Sequence, residues 1–305
     1  MSTSTDSNCL RIRHTVDVPL REVSGICLRR GRKHQMSLVA VGDRAAKLAW
    51  APMPGSDGPS RRGQGVLLDW HTIDISRLPG SSLPSKNPQI EAVCADGAGR
   101  VLLLQEWPPR AELVDLDASE VVASIDLVIE GRGELSRSWN DPDCSHGEGA
   151  ALLAGGHLLV AKEKDPAVLI EFGPAGSRSR GFSTRSALAE GAAWSLKPGR
   201  HRFVALAVWQ PDTRLRQGCD DFSDLEIGPD GRLYLLSDKS AAIARLGPLA
   251  PGGGTAAMSG GWRLDDLGGD KPEGLSFAPD GCAIVALDKR KRRNNLVLLE
   301  PAIAG

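Results

Sequence analysis

The chain repeats one phrase, and an internal repeat constrains a fold more tightly than any composition does. Between Lys271 and Asp288 it reads KPEGLSFAPDGCAIVALD. Glu273 opens this stretch, Pro279-Asp280-Gly281 turns it, and Asp288 closes the returning apolar run. DLEIGPDGRLYLLSD runs in the same way from Asp224 to Asp238, EGAALLAGGHLLVAKE from Glu148 to Glu163, and EAVCADGAGRVLLLQE from Glu91 to Glu106. A degenerate copy covers 23–43, with Ser24 at the opening position and Asp43 at the close. A shorter copy covers 189–212, opening on Glu190 and ending near Trp209 and Gln210 without a closing acid. Short apolar runs on either side of Asp-Gly or Gly-Gly are strand–turn–strand signals.

Most copies are followed by further strand-like runs, such as AELVDLD and VVASIDLVI after the copy at Glu91, or NLVLLEP after the last. Six hairpins, most with one or two extra strands, predict an all-β fold: a six-bladed β-propeller. The last copy has room for three strands only. Residues 10–18, LRIRHTVDV, alternate apolar and polar and have no hairpin partner. They are expected to complete the last blade and so remove an open sheet edge. A pair of β-sandwiches is the rival architecture, and it explains neither the recurring hairpin nor the orphan strand. Residues 1–9 are expected to be disordered, 55–65 to form a flexible loop, and 10–305 to form one domain.

The 37 basic and 38 acidic residues leave a net charge of −1, which gives no pull toward nucleic acid or a membrane surface. The basic run 289–293 reads as a solvated loop. No apolar run is long enough to span a bilayer, and the polar start lacks a signal-peptide core. A cytoplasmic setting is expected, with the six cysteines as free thiols.

In a propeller the first strand of each blade lines the central channel and the second runs back beside it. The opening and closing acids of each copy therefore meet at one mouth. The inner ring is Ser24, Glu91, Glu148, Glu190, Asp224 and Glu273, and the outer ring is Asp43, Glu106, Glu163, Asp238 and Asp288. Carboxylates crowded together must take up protons or bind a cation. An all-oxygen set suits Ca²⁺, with Mg²⁺ or Mn²⁺ behind it, so Glu91, Glu148, Glu190, Asp224 and Glu273 are the candidate ligands. Two alternatives stay open: acids that merely staple blades through backbone hydrogen bonds, and a mouth that takes an organic cation. Arg44, Lys164, Lys239 and Lys289 follow closing acids and could neutralise them.

Loops add Cys144 and His146 before Glu148, and Cys219 before Asp224. His146 is a candidate general acid or base. A Cys144/His146 nucleophile pair and a zinc site from Cys144, His146 and Cys219 are weaker alternatives. Trp107, Trp139 and Trp209 fall at hairpin ends or loops, where they could wall a substrate pocket together with Cys144 and Cys219.

KPEGLSFAPDG and DFSDLEIGPDGRLYLLSD resemble blade motifs of the SdiA-regulated and esterase-like phytase-associated propellers. More distantly, the chain is similar to the gluconolactonase/senescence-marker calcium-dependent lactonases. This resemblance implies a six-bladed propeller and divalent-metal-dependent hydrolysis of a small ester or lactone. Glu148, Glu190, Asp224 and Glu273 would match the lactonase carboxylates, and Asn87 or Asn140 would have to supply the asparagine. Asp224, Glu148 or His146 would then activate water. A non-catalytic ligand- or peptide-binding propeller and an accessory biosynthetic enzyme are the other readings of the same fold.

Overall fold

The computed structural model describes residues 9–31, 35–53 and 67–303. The expected disorder of residues 1–9 (apart from Cys9) and the loop at 55–65 lie outside them. The regular secondary structure of the described chain is almost entirely strand. After β1 (Ile12–Val16), β2 (Val23–Arg30), β3 (Met36–Gly42), β4 (Ala45–Pro52) and β5 (His71–Asp74) form the first antiparallel unit. The second is β6 (Ile90–Ala95), β7 (Arg100–Gln105), β8 (Arg110–Asp115) and β9 (Glu120–Val128). The third is β10 (Gly147–Leu153), β11 (His157–Lys162), β12 (Val168–Pro174) and β13 (Gly199–Pro211). The fourth is β14 (Asp224–Ile227), β15 (Leu233–Ser237) and β16 (Ala242–Leu246), then β18 (Met258–Arg263); the short β17 (Gly254–Ala256) pairs instead with β13. The fifth is β19 (Lys271–Phe277), β20 (Cys282–Asp288) and β21 (Leu296–Pro301), with β1 as its outer strand.

The first strands of the units pack in a closed circuit: β2 on β6, β6 on β10, β10 on β14, β14 on β19, and β19 back on β2. Five apolar clusters fill the five seams between neighbouring units. This is an all-β propeller whose last blade is closed by the N-terminal strand. Among the described residues it has five four-stranded units where the repeat led us to expect six. The copy at 189–212 makes no blade. Its first part, 189–198, is irregular, and the remainder is β13, the outer strand of the third unit. Without a tight turn or a second hairpin arm of its own, that segment buries its apolar side chains by adding to β12. β13 also pairs in parallel with β9 through Gly199 to Val204, so the second and third units join at the rim into one nine-stranded sheet.

The turns follow the chemistry of their residues. Gly231 and Gly281 adopt φ of +70° and +82° in the two Pro-Asp-Gly turns, a region open to glycine at little cost. Asp230 and Asp280 accept the backbone N–H two residues on, both at 3.1 Å, which fixes the hairpin. The two α-helices, α1 (Glu134–Trp139) and α2 (Thr213–Gly218), are single short turns before β10 and β14. No helix among the described residues is long and apolar enough to cross a membrane.

Candidate functional site at the acid end of the ring

One backbone device repeats where the opening acids stand. In four of the five inner strands the register with the second strand slips by one residue: between Val23 and Gly25, Ile90 and Ala92, Gly147 and Gly149, and Pro272 and Gly274. The extra residues are Ser24, Glu91, Glu148 and Glu273. A bulge leaves one residue unpaired and re-aims its side chain, and all four of these side chains line a cavity of about 170 Å³. The N–H of the closing acid bonds the carbonyl two residues before the opening position in three units: Asp43 to Glu22 at 3.1 Å, Glu106 to Gln89 at 2.8 Å, Glu163 to His146 at 3.0 Å. Both acids of a hairpin are thereby held at one mouth.

Asp224 is the exception. Its strand pairs without a bulge, and its carboxylate accepts the N–H of Leu225 at 2.7 Å and of Leu275, in the next unit, at 2.6 Å. It staples two units together, and Ser223 lines the cavity in its place. Glu190 is not at this mouth. It is exposed at the opposite end of the ring, 2.5 Å from the Arg30 guanidinium.

Eight carboxylates line the cavity (Glu22, Asp43, Glu91, Glu148, Glu163, Asp238, Glu273 and Asp288) against two cations, Arg44 and Lys271. The nearby cations are engaged by outer acids. Arg44 lies 3.2 Å from Glu22 and 3.5 Å from Asp43, Lys271 3.2 Å from Asp238, and Lys164 2.5 Å from Glu163. None pairs with Glu91, Glu148 or Glu273 among the described residues. Burial pushes the carboxyl of Glu273 up to about 8, with Asp238 adding to the effect. Burial and then the neighbouring acids raise Glu91 and Glu148 well above the usual range, Glu91 chiefly through Asp43 and Glu148 chiefly through Glu91. Burial also raises Asp43 and Asp288.

Beside the cavity, burial pushes Asp221 up to about 6 and hydrogen bonding to Asp238 adds to it. Asp238 is held below its ordinary value despite burial, because Asp221 and Lys271 both hydrogen-bond it. Below about pH 6 the pair therefore shares a proton that sits on Asp221.

His146 is buried behind the acids, with ring centroids 5.1 Å from Trp107 and 5.7 Å from Trp139. Its Nδ1 is 3.9 Å from Glu106, and it does not line the cavity. Trp139 and Trp209 are core residues whose indole N–H groups donate to the carbonyls of Leu127 and Ala250, both at 3.0 Å, while Trp107 is half-buried against His146. Cys219 is buried at the end of α2, its thiol pushed up by burial to about 12; Cys144 is half-buried on the loop before β10. Asn140 caps α1, donating to Ser136 at 2.7 Å. Asn87 holds a loop turn, its N–H on the Arg44 carbonyl at 3.2 Å, and neither asparagine lines the cavity. Three polar lining residues escaped the spacing argument, Glu22, Ser223 and Lys271, as did the apolar Val23. Glu22 had a signal, because the first copy carries its acid two residues ahead of Ser24.

The donors at the mouth are carboxylates and hydroxyls, a set that suits a hard cation. No group of three or more His, Cys, Asp or Glu side chains among the described residues stands in a metal-holding arrangement. The residues thus fit a divalent ion in donor chemistry and do not fit it in placement.

No protein-family model matches the chain, and no curated protein does. Among solved structures it is similar to a virginiamycin B lyase from Staphylococcus aureus, with 9% identity over 90% of this chain and 67% of that one and a TM-score of 0.41. It is similar to a streptogramin B lyase at 11% identity, 95% and 97% coverage and a TM-score of 0.46. It is also similar to a structure described as a candidate gluconolactonase, at 12% identity, 97% and 82% coverage and a TM-score of 0.47. Likeness this remote says nothing about chemistry, and the propeller description rests on the strand pairing itself.

Proposed function

We propose that the acid end of the ring is a receptor for a small cationic group, met by Glu91, Glu148 and Glu273. One observation carries this reading: three carboxyls crowd a small cavity without a cationic partner, and burial and mutual repulsion raise all three, Glu273 to about 8. Such groups give up their protons to solvent when a cation takes their place. A guanidinium on an organic ligand suits the cavity size and needs no ring of converging ligands.

The second reading is a divalent-metal-dependent hydrolase acting on a small ester or lactone. It is supported by the all-oxygen donor set and by the motif resemblance. Glu91, Glu148, Glu273 and the Ser24 hydroxyl would have to draw together to hold Ca²⁺, Mg²⁺ or Mn²⁺, the Lewis acid that such hydrolysis uses. The first reading is preferred because no side-chain triad among the described residues is set to hold a metal.

Calorimetric titration of the full chain with methylguanidine and with CaCl₂, at several pH values and in buffers of different ionisation enthalpy, tests both. Binding of either is expected to release protons and to tighten between pH 6 and 9. Glu148→Gln and Glu273→Gln are each expected to weaken it by about tenfold or more, a loss of about 1.4 kcal/mol. Binding of neither, or binding without proton release, overturns the receptor. Binding of Ca²⁺ alone, with turnover of an aryl-ester or lactone panel, decides for the hydrolase.

A further inference from the structure

The ring has a second opening. At the far end of the inner strands lies a larger cavity, about 700 Å³, within the size range of small-molecule sites. The inner strands give it a mostly apolar wall that includes Cys27, Cys94, Leu152 and Phe277. Burial holds the thiols of Cys27 and Cys94 well above their ordinary value, so they act as neutral surface and not as nucleophiles.

The non-blade segment 184–191 crosses this opening and contributes to its lining. Ala154 donates its N–H to the Ser186 carbonyl at 2.9 Å and Ala187 bridges to Leu153, and two further contacts fix the segment's far end. Glu190 pairs with Arg30 at 2.5 Å, and Gly97 donates its N–H to the carbonyl of Ala192 at 2.8 Å. The approach there is so close that a Cβ on Gly97 would lie 2.2 Å from the Gly191 carbonyl carbon.

Four charged residues line the cavity, and three have partners. Arg30 and Glu190 hold each other. Asp96 takes the Arg100 guanidinium at 2.6 Å and the N–H of Trp194 at 3.0 Å. Glu226 has no hydrogen bond or ion pair among the described residues. Burial alone pushes its carboxyl up to about 8. Glu226 is half-buried on this wall, and an unpaired carboxyl on a largely apolar surface gains from a cation that pairs with it.

We propose that this cavity binds a small, largely apolar molecule carrying one amine, with its hydrocarbon body against the Leu152 and Phe277 wall and its ammonium on Glu226. The apolar body accounts for the lining, and the ammonium supplies the one partner the protein withholds. The site is separate from the acid end, since Glu226 and Glu148 line different cavities.

Benzylamine and its uncharged counterpart benzyl alcohol are the probes, titrated calorimetrically into the purified full chain, with melting curves confirming that each variant is folded. Benzylamine is expected to bind the wild-type chain at least tenfold more tightly than benzyl alcohol. Glu226→Gln is expected to remove that preference, and Glu148→Gln to leave it intact. No binding of benzylamine, equal binding of the two probes, or a preference that persists in Glu226→Gln overturns the proposal. A preference lost in Glu148→Gln also overturns it and assigns the amine to the acid end. Should Glu226→Gln not fold, the comparison of the two probes on the wild-type chain, with Glu148→Gln beside it, decides the matter.

Discussion

At the scale of single residues, the acid end ties stability to pH. Glu273 titrates near 8 in the folded chain and near 4.3 in an unfolded one. Between those values the folded state holds the extra proton. The stability this gives is complete below about pH 4 and is lost as pH rises through about 8. Glu91 and Glu148 act with the same sign. The melting temperature is expected to fall from pH 5 to pH 8.5. Glu273→Gln, neutral throughout, should flatten that fall and stabilise the chain at pH 8 by on the order of 1 kcal/mol, after allowance for partial solvent screening. Unchanged pH profiles in thermal melts of the two proteins would count against the titration. The spacing of the repeat was enough to place Glu91, Glu148 and Glu273 at one mouth. It could not separate them from Asp224, whose spacing is equivalent, because the difference is a backbone bulge present in four inner strands and missing from β14. Nor could it show His146 walled in by Trp107 and Trp139, since Trp107, on the turn after β7, is remote in sequence from the stretch that carries Trp139 and His146.

At the scale of elements, the residue after each bulge sets how closely neighbouring units approach. Gly25, Gly149 and Gly274 follow Ser24, Glu148 and Glu273, and a Cβ at Gly149 would sit 2.5 Å from the Leu225 backbone nitrogen. Backbone cannot yield as a side chain can. Gly149→Ala is expected to cost about 2 kcal/mol or more in chemical denaturation, by forcing β10 and β14 apart. The same spreading should weaken cation binding at the acid end. The Glu-Gly pairing was visible in EGAALL and PEGLSF, although the reason for the glycine was not. The copy at 189–212 shows where the repeat misled. It carries the opening phrase, but its missing closing acid and absent turn mark a segment that became one outer strand and a strap over the far opening.

For the whole molecule, closure is the decisive property. The orphan strand at 10–18 was readable as the partner of the last copy, and β1 does pair with β21 through Val16–Leu296, Thr15–Val297 and His14–Leu298. The number of units was less readable. It depends on where β13 docks, and the parallel pairing of β9 with β13 is a long-range choice that no local pattern encodes. Asn295 secures the closure. Fully buried, it accepts the Val18 N–H at 2.7 Å and donates to the carbonyls of Val18 at 3.1 Å and Leu20 at 2.9 Å. Asn295→Ala strands three buried backbone groups and is expected to cost about 3 kcal/mol. Equilibrium unfolding measures it, and a loss under about 0.5 kcal/mol would mean the seam is held by apolar packing alone.

The same closure sets a timetable. β1 is made well before its hydrogen-bonding partner β21, with every other described strand between them. Until β21 follows, the strand has no sheet to join. Its sequence, IRHTV, places Arg13, His14 and Thr15 between Ile12 and Val16, and charged or polar side chains on a lone strand discourage pairing with the wrong chain. The polar alternation that marks β1 as a half-buried strand would thus also keep it soluble while it waits.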